Sequence, residues 1–133
     1  MLVKRVMSKK VISVSVPGNR EKALDLMRKE KVSVLPVVKG DTNKLVGFLT
    51  RSDLIVNPDE EQIAMLMKTD LVTVKPDDEI EDAVSKMVEN NVRRVPVTDD
   101  EGDLVGILTS FDIVAQAIAF SSLRDDITLT DPL

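Results

Sequence analysis

The chain has 133 residues, 43% hydrophobic and 31% charged, with a net charge of −5, no Cys and no His. That length allows one domain with a sizeable core, and because aromatics are only 2% the core must be aliphatic. Missing thiols and imidazoles exclude disulfides, thiolate nucleophiles, His-based triads and His or Cys metal sites, and the acidic balance argues against nucleic acid as a partner.

No run reaches the length of a membrane span and no signal peptide is visible, so no membrane partner is expected and the expected location is cytoplasmic. Lys4, Arg5, Lys9 and Lys10 make the start of the chain basic, and composition alone reads them as a solvated run. Val11–Val14 is a β-branched run and predicts a strand, which Pro17-Gly18 ends. Ala23, Leu24 and Met27 then share a helical face, with Gly18 as the expected N-cap and Glu21 three residues on. Val34–Val38 and Leu45–Leu49 predict two further strands around a turn at Gly40–Asn43. Pro36 within the first of these points to an edge or an irregular start. A second helix is expected from about Thr50.

Asn57-Pro58-Asp59-Glu60 reads as a helix start, with Asn as cap and Pro in the first turn, and Ile63, Ala64, Leu66 and Met67 carry that linker helix onward. The order then repeats. Ile80, Ala83, Val84 and Met87 form a helical stripe behind an Asp78/Glu81 capping pattern. Val95-Pro96-Val97 answers Leu35-Pro36-Val37, and Asp99–Gly102 is the hairpin turn. Gly106-Ile107-Leu108-Thr109-Ser110-Phe111-Asp112 answers Gly47-Phe48-Leu49-Thr50-Arg51-Ser52-Asp53, about 60 residues later. Met7 likewise answers Met67. Two pseudo-symmetric strand-helix-strand-strand-helix repeats are therefore expected, residues 1–57 and 58–120, in an α/β fold of the α+β type. The polar segment 121–133 is expected to be a loose tail, or a connector within a longer four-repeat protein.

Thr50-x-x-Asp53 and Thr109-x-x-Asp112 have two readings. Thr at an N-cap followed by an acid three residues on is a capping pattern. The same residues could also serve a ligand. An ionised Asp offers two acceptor oxygens to a pair of hydroxyls, a helix start offers N–H groups to a phosphate, and Gly47 and Gly106 would let a ligand approach the backbone. The carboxylates of Glu60-Glu61 and Asp99-Asp100-Glu101 read better as a helix start and a turn than as a metal site.

The repeated V-P-V or L-P-V strand and the Gly-hydrophobic-hydrophobic-Thr-x-x-Asp segment resemble the CBS (cystathionine β-synthase) domain. Residues 1–120 resemble a tandem pair, or Bateman module. The resemblance implies a noncatalytic regulatory module binding AMP, ADP, ATP or a related adenosyl ligand between the repeats, as an energy or metabolite sensor. One implied cleft combines Phe48, Thr50 and Asp53 with Asp70, Val72, Val92, Arg93 and Arg94. The other combines Ile107, Thr109 and Asp112 with Lys10, Ile12, Val32, Ser33 and Val34. In this picture Arg93 and Arg94 meet phosphates with their planar forks, and the apolar residues sandwich adenine. Family sites often carry aromatic or His residues around the ligand, which this chain almost lacks.

The competing readings are an interaction or dimerisation module with vestigial pockets, and a sensor of S-adenosylmethionine type. An enzyme is disfavoured, because no His, Cys or phosphate-loop constellation is present. Surplus apolar residues on the two closing helices, Leu54, Ile55 and Val56 in one and Ile113, Val114, Ala117, Ile118 and Phe120 in the other, predict a homodimer through helical faces. The effector protein that such a module would regulate is not named by the sequence.

Overall fold

The computed structural model describes the backbone of residues 1–128 and the side chains of residues 1–121. After a 3₁₀ turn at Val3–Arg5 come β1 (Val14–Val16), α1 (Arg20–Glu30), β2 (Val34–Lys39), β3 (Leu45–Thr50) and α2 (Arg51–Val56). The second half contains α3 (Ile63–Leu66), α4 (Ile80–Glu89), β4 (Arg94–Thr98), β5 (Leu104–Thr109) and α5 (Ser110–Thr128). β1 runs parallel to β2, and β2 antiparallel to β3; β4 and β5 form the corresponding antiparallel pair. Among the described residues, no helix is long and apolar enough to cross a membrane.

The first strand is shorter than the β-branched run predicts. It begins at Val14, opposite Val37, because Pro36 has no N–H with which to extend a ladder. In repeat two it shrinks to one parallel bridge, Val74 to Val97. There the Lys75 N–H donates to the Asp78 carboxylate at 2.9 Å, and Pro76 has none to offer. Asp78 is thus spent on this turn rather than on the expected capping box, and α4 starts after Glu79 without a side-chain cap. In repeat one the cap of α1 is Asn19, whose Oδ1 accepts from Lys22 N, not Gly18.

The linker does not start a helix at Pro58. Asn57 closes α2 instead, donating from Nδ2 to Asp53 O at 3.1 Å. Arg20 gathers the carbonyls of Leu54, Asn57 and Glu60 at 2.6–2.8 Å, and the helix begins only at Ile63. At the other end, α5 continues to Thr128, so the start of the expected loose tail is helical. Residues 129–133 lie outside the described residues.

Packing crosses the repeat boundaries. Ile63 is fully buried in the first core with Val14, Ala23, Met27, Leu35 and Leu49. Its counterpart Val3, at the start of repeat one, is fully buried in the second core with Val74, Ala83, Met87, Val95 and Leu108. Each repeat therefore lends its leading segment to the other. Burying such aliphatic side chains contributes about 1.5–3 kcal/mol each, so neither core is complete without the exchanged segment. The exchange continues as backbone pairing. Lys68 and Phe48 exchange two hydrogen bonds (2.7 and 2.9 Å), as do Ser8 and Ile107 (2.8 and 3.0 Å). A third cluster, Val38, Leu45, Leu104 and Ile107, joins the halves, reinforced by Leu45 N to Gly102 O and Leu104 N to Asn43 O.

Candidate functional site

The ends of the exchanged segments, Lys68–Val72 and Ser8–Ile12, face the helix starts of the opposite repeats. Two clefts result. The larger, about 600 Å³, is walled by Phe48, Thr50, Val72 and Val92, with Asp70, Arg93 and Arg94 at its polar edge. All seven were expected there. Ser33, Val34, Lys68 and Asn91 complete it. The smaller, about 180 Å³, brings together Ile107, Thr109 and Asp112 with Lys10, Ile12, Val32 and Val34, and adds Ser8, Leu35, Pro36 and Arg94.

Four placements differ from the expectation. Ser33 lines the larger cleft, not the smaller. Arg94, expected only in the larger, lines both, as does its repeat counterpart Val34. These two residues begin β4 and β2, so each lies between the clefts. Asp53 is not on the lining of the larger cleft. Its carboxylate is engaged at the rim, where Oδ2 accepts from Thr50 N at 2.9 Å and Oδ1 lies 3.6 Å from Lys68 Nζ.

Both Thr-x-x-Asp segments form reciprocal caps. Asp53 N donates to Thr50 Oγ1 at 3.1 Å, while in repeat two Asp112 N donates to Thr109 Oγ1 at 3.0 Å and Thr109 N to Asp112 Oδ2 at 3.2 Å. Capping fixes each carboxylate in one rotamer and leaves its other oxygen with acceptor capacity. The cap and a ligand role therefore coexist geometrically.

The glycines have a packing role that the sequence did not suggest. A Cβ on Gly47 would lie 2.8 Å from Lys68 O and 2.8 Å from Met67 Sδ. One on Gly106 would lie 2.6 Å from Met7 Sδ. Both glycines thus make room for the exchanged segments, which also explains why Met7 and Met67 repeat. In the Asp99 turn, Asp99 Oδ1 accepts from Glu101 N and Asp103 N.

The two clefts differ in charge. The larger is lined by Lys68, Arg93 and Arg94 against Asp70; the smaller by Lys10 and Arg94 against Asp112. Lys68 escaped the sequence reading, although its signal was available: it follows the repeated Met67 as Ser8 follows Met7. Each cleft thus presents apolar walls with a few convergent polar groups, the usual make-up of a small-molecule site.

The model of the CBS domain family matches the chain twice, over residues 3–59 and 61–118. The chain belongs to the CBS domain family. An uncharacterised protein of Methanocaldococcus jannaschii is 30% identical to it, with 89% of this chain and 92% of that protein covered. Inosine-5'-monophosphate dehydrogenase of the same archaeon is 36% identical over 121 residues, 90% of this chain. The chain spans only 24% of that enzyme's length. Among solved structures, the CBS domain pair of protein MJ0100, in complex with 5'-methylthioadenosine and S-adenosyl-L-methionine, superposes with a TM-score of 0.77 at 30% identity, covering 90% of this chain and 97% of that one. CBSX2 in complex with AMP gives 0.80 at 27% identity, with coverages of 90% and 98%.

Proposed function

We propose that this CBS pair is a noncatalytic regulatory module that binds an adenosine-containing ligand, AMP, ADP, ATP or a related adenosyl compound, in its two inter-repeat clefts. One observation carries the reading. Each Thr-x-x-Asp helix start of one repeat faces, across a cavity, the first-strand segment of the other. An adenosine bridging them would touch both repeats at once. Phe48 and Val72 in one cleft, and Ile107 and Ile12 in the other, supply apolar faces for adenine. Asp53 and Asp112 supply fixed carboxylates suited to a ribose diol. Arg93 and Arg94 supply guanidinium forks suited to phosphate. The AMP, 5'-methylthioadenosine and S-adenosyl-L-methionine in the related structures support the ligand class.

Regulation follows if the ligand binds one arrangement of the repeats, or of two copies of the chain, better than another. A homodimer suits that role, because Ile55 and Val56 on α2 and Val114 and Ile118 on α5 are exposed apolar residues. The protein regulated would be read out through that same change. The test uses the protein as purified. It has no Trp and no Tyr, so absorbance near 260 nm reports bound nucleotide with little background. Denaturation followed by mass spectrometry of the released small molecules should identify an adenosyl compound. Released material that is reproducibly stoichiometric but contains no adenine would overturn the assignment.

A further inference from the structure

We propose that Lys68 sets the charge specificity of the larger cleft. It makes ribose binding by Asp53 depend on ligand phosphate, so this cleft selects adenosine di- or triphosphates over uncharged adenosyl compounds. The inference deepens the reading above and rests on it.

Asp53 is the candidate ribose acceptor, and its side chain is only 13% exposed. One oxygen already accepts from Thr50 N, and the other faces the Lys68 ammonium at 3.6 Å. An uncharged nucleoside must share that second oxygen with a cation and gives the cation nothing in return. A phosphorylated ligand differs. Its phosphates offer Lys68 a stronger, shorter charge-assisted partner, and the ammonium can leave Asp53 for them while the ribose takes its place. The existing pair is suited to being exchanged. Lys68 is 64% exposed in its side chain, where ion pairs are weak and screened. Its backbone is held by both hydrogen bonds to Phe48, so the flexible stem can swing without disturbing that pairing.

The smaller cleft supplies an internal contrast. Ser8 holds the position equivalent to Lys68, with the same two backbone bonds, here to Ile107. Among the described residues no cation pairs with Asp112. The larger cleft has three cations on its lining and about 600 Å³, room for a nucleoside with a phosphate chain; the smaller has two cations, Lys10 and Arg94, and about 180 Å³. One chain would thus hold a phosphate-demanding site beside a phosphate-tolerant one.

The test is calorimetric titration of the full chain with adenosine and with ADP, in an Asp112→Ala background that silences the smaller cleft. Lys68→Met removes the ammonium but keeps the stem, and Lys68→Ser installs the residue of the other repeat. Both should lower ADP affinity about tenfold while adenosine affinity stays level or rises, so the ADP-to-adenosine ratio falls at least tenfold. In an Asp53→Ala background, Ser8→Lys should raise that ratio at the smaller cleft. Thermal unfolding of each variant checks the fold. Equal losses for the two ligands, or an unchanged ratio, would overturn the role of Lys68 while leaving the adenosyl reading intact. A parent chain that binds neither ligand would overturn this proposal, whereas the adenosyl reading falls only if AMP, ATP and S-adenosylmethionine also fail to bind the same protein.

Discussion

Gly47→Ala is the substitution that best separates structure from ligand contact. The added Cβ would stand 2.8 Å from both Lys68 O and Met67 Sδ, and 3.1 Å from Met67 Cγ. Well-packed non-bonded carbons sit at roughly 3.5–4.0 Å. The thioether can turn away, but the carbonyl cannot retreat without stretching the 2.9 Å bond it accepts from Phe48 N. Over-packing of this kind costs about 1–3 kcal/mol, and a weakened hydrogen bond adds about 1 kcal/mol. Restricting the unfolded chain returns about 0.4–1 kcal/mol. The expected net loss is about 1–4 kcal/mol, and each kcal/mol lowers Tm by roughly 3–5 °C for a chain of this size. Gly106→Ala should cost less, since its nearest obstacle is the movable Met7 Sδ at 2.6 Å, with Ser8 O at 3.1 Å. Met7→Ala should partly relieve it in a double-mutant cycle. Urea and thermal unfolding measure all of these. A Gly47→Ala protein no less stable than wild type would refute the close-approach argument. If that protein had also lost ligand affinity, the glycine would belong to the binding site after all.

Three further expectations concern the clefts and the outer surface. Asp53→Asn and Asp112→Asn keep an acceptor for the Thr N–H, so stability should fall by less than the ~0.5–2 kcal/mol of a lost cap, while affinity for an adenine nucleotide falls by about 1.5–3 kcal/mol at one site each; paired unfolding and titration measurements read both, and equal effects on stability with unchanged affinity would leave only the cap. Arg93→Ala should weaken AMP or ATP binding at the larger cleft and Arg94→Ala at both clefts, each far more than adenosine binding, because of the two arginines only Arg94 lines both; equal losses for adenosine in titrations would assign these residues to the fold or the adenine wall. Light scattering should give about twice the 14.7 kDa chain mass, and Ile118→Asp, at a residue 61% exposed, should return it to one chain mass with an unchanged circular dichroism spectrum; a wild-type monomer at high micromolar concentration would contradict the dimer.

The repeat was the strongest signal in the sequence, and it carried most of the site. Thr50, Asp53, Thr109 and Asp112 could be placed at helix starts because capping chemistry is local. The opposite walls, such as Val72 and Ile12, needed the family resemblance, since nothing local says that a strand faces the other repeat. What stayed hidden was long-range. No rule of periodicity reveals that Val3 completes the second core and Ile63 the first, so the room that Gly47 and Gly106 make for exchanged chain could not be read. Lys68 was passed over for the same reason: its meaning comes from lying beside Asp53 across that exchange. The misplaced caps have a different cause. Asn19 took the Lys22 N–H, Asp78 turned back to the Lys75 N–H, Asn57 closed α2 on Asp53 O, and Arg20 took the carbonyls of the linker.

Isothermal titration of the purified chain with AMP, ADP, ATP and S-adenosylmethionine, repeated on the Asp53→Ala/Asp112→Ala double variant, tests the central claim directly. The account predicts saturable heat with at least one of the four, at no more than two sites per chain, and its loss in a double variant that still unfolds cooperatively. No heat from any of the four at high micromolar concentration, or undiminished binding in the double variant, would contradict it.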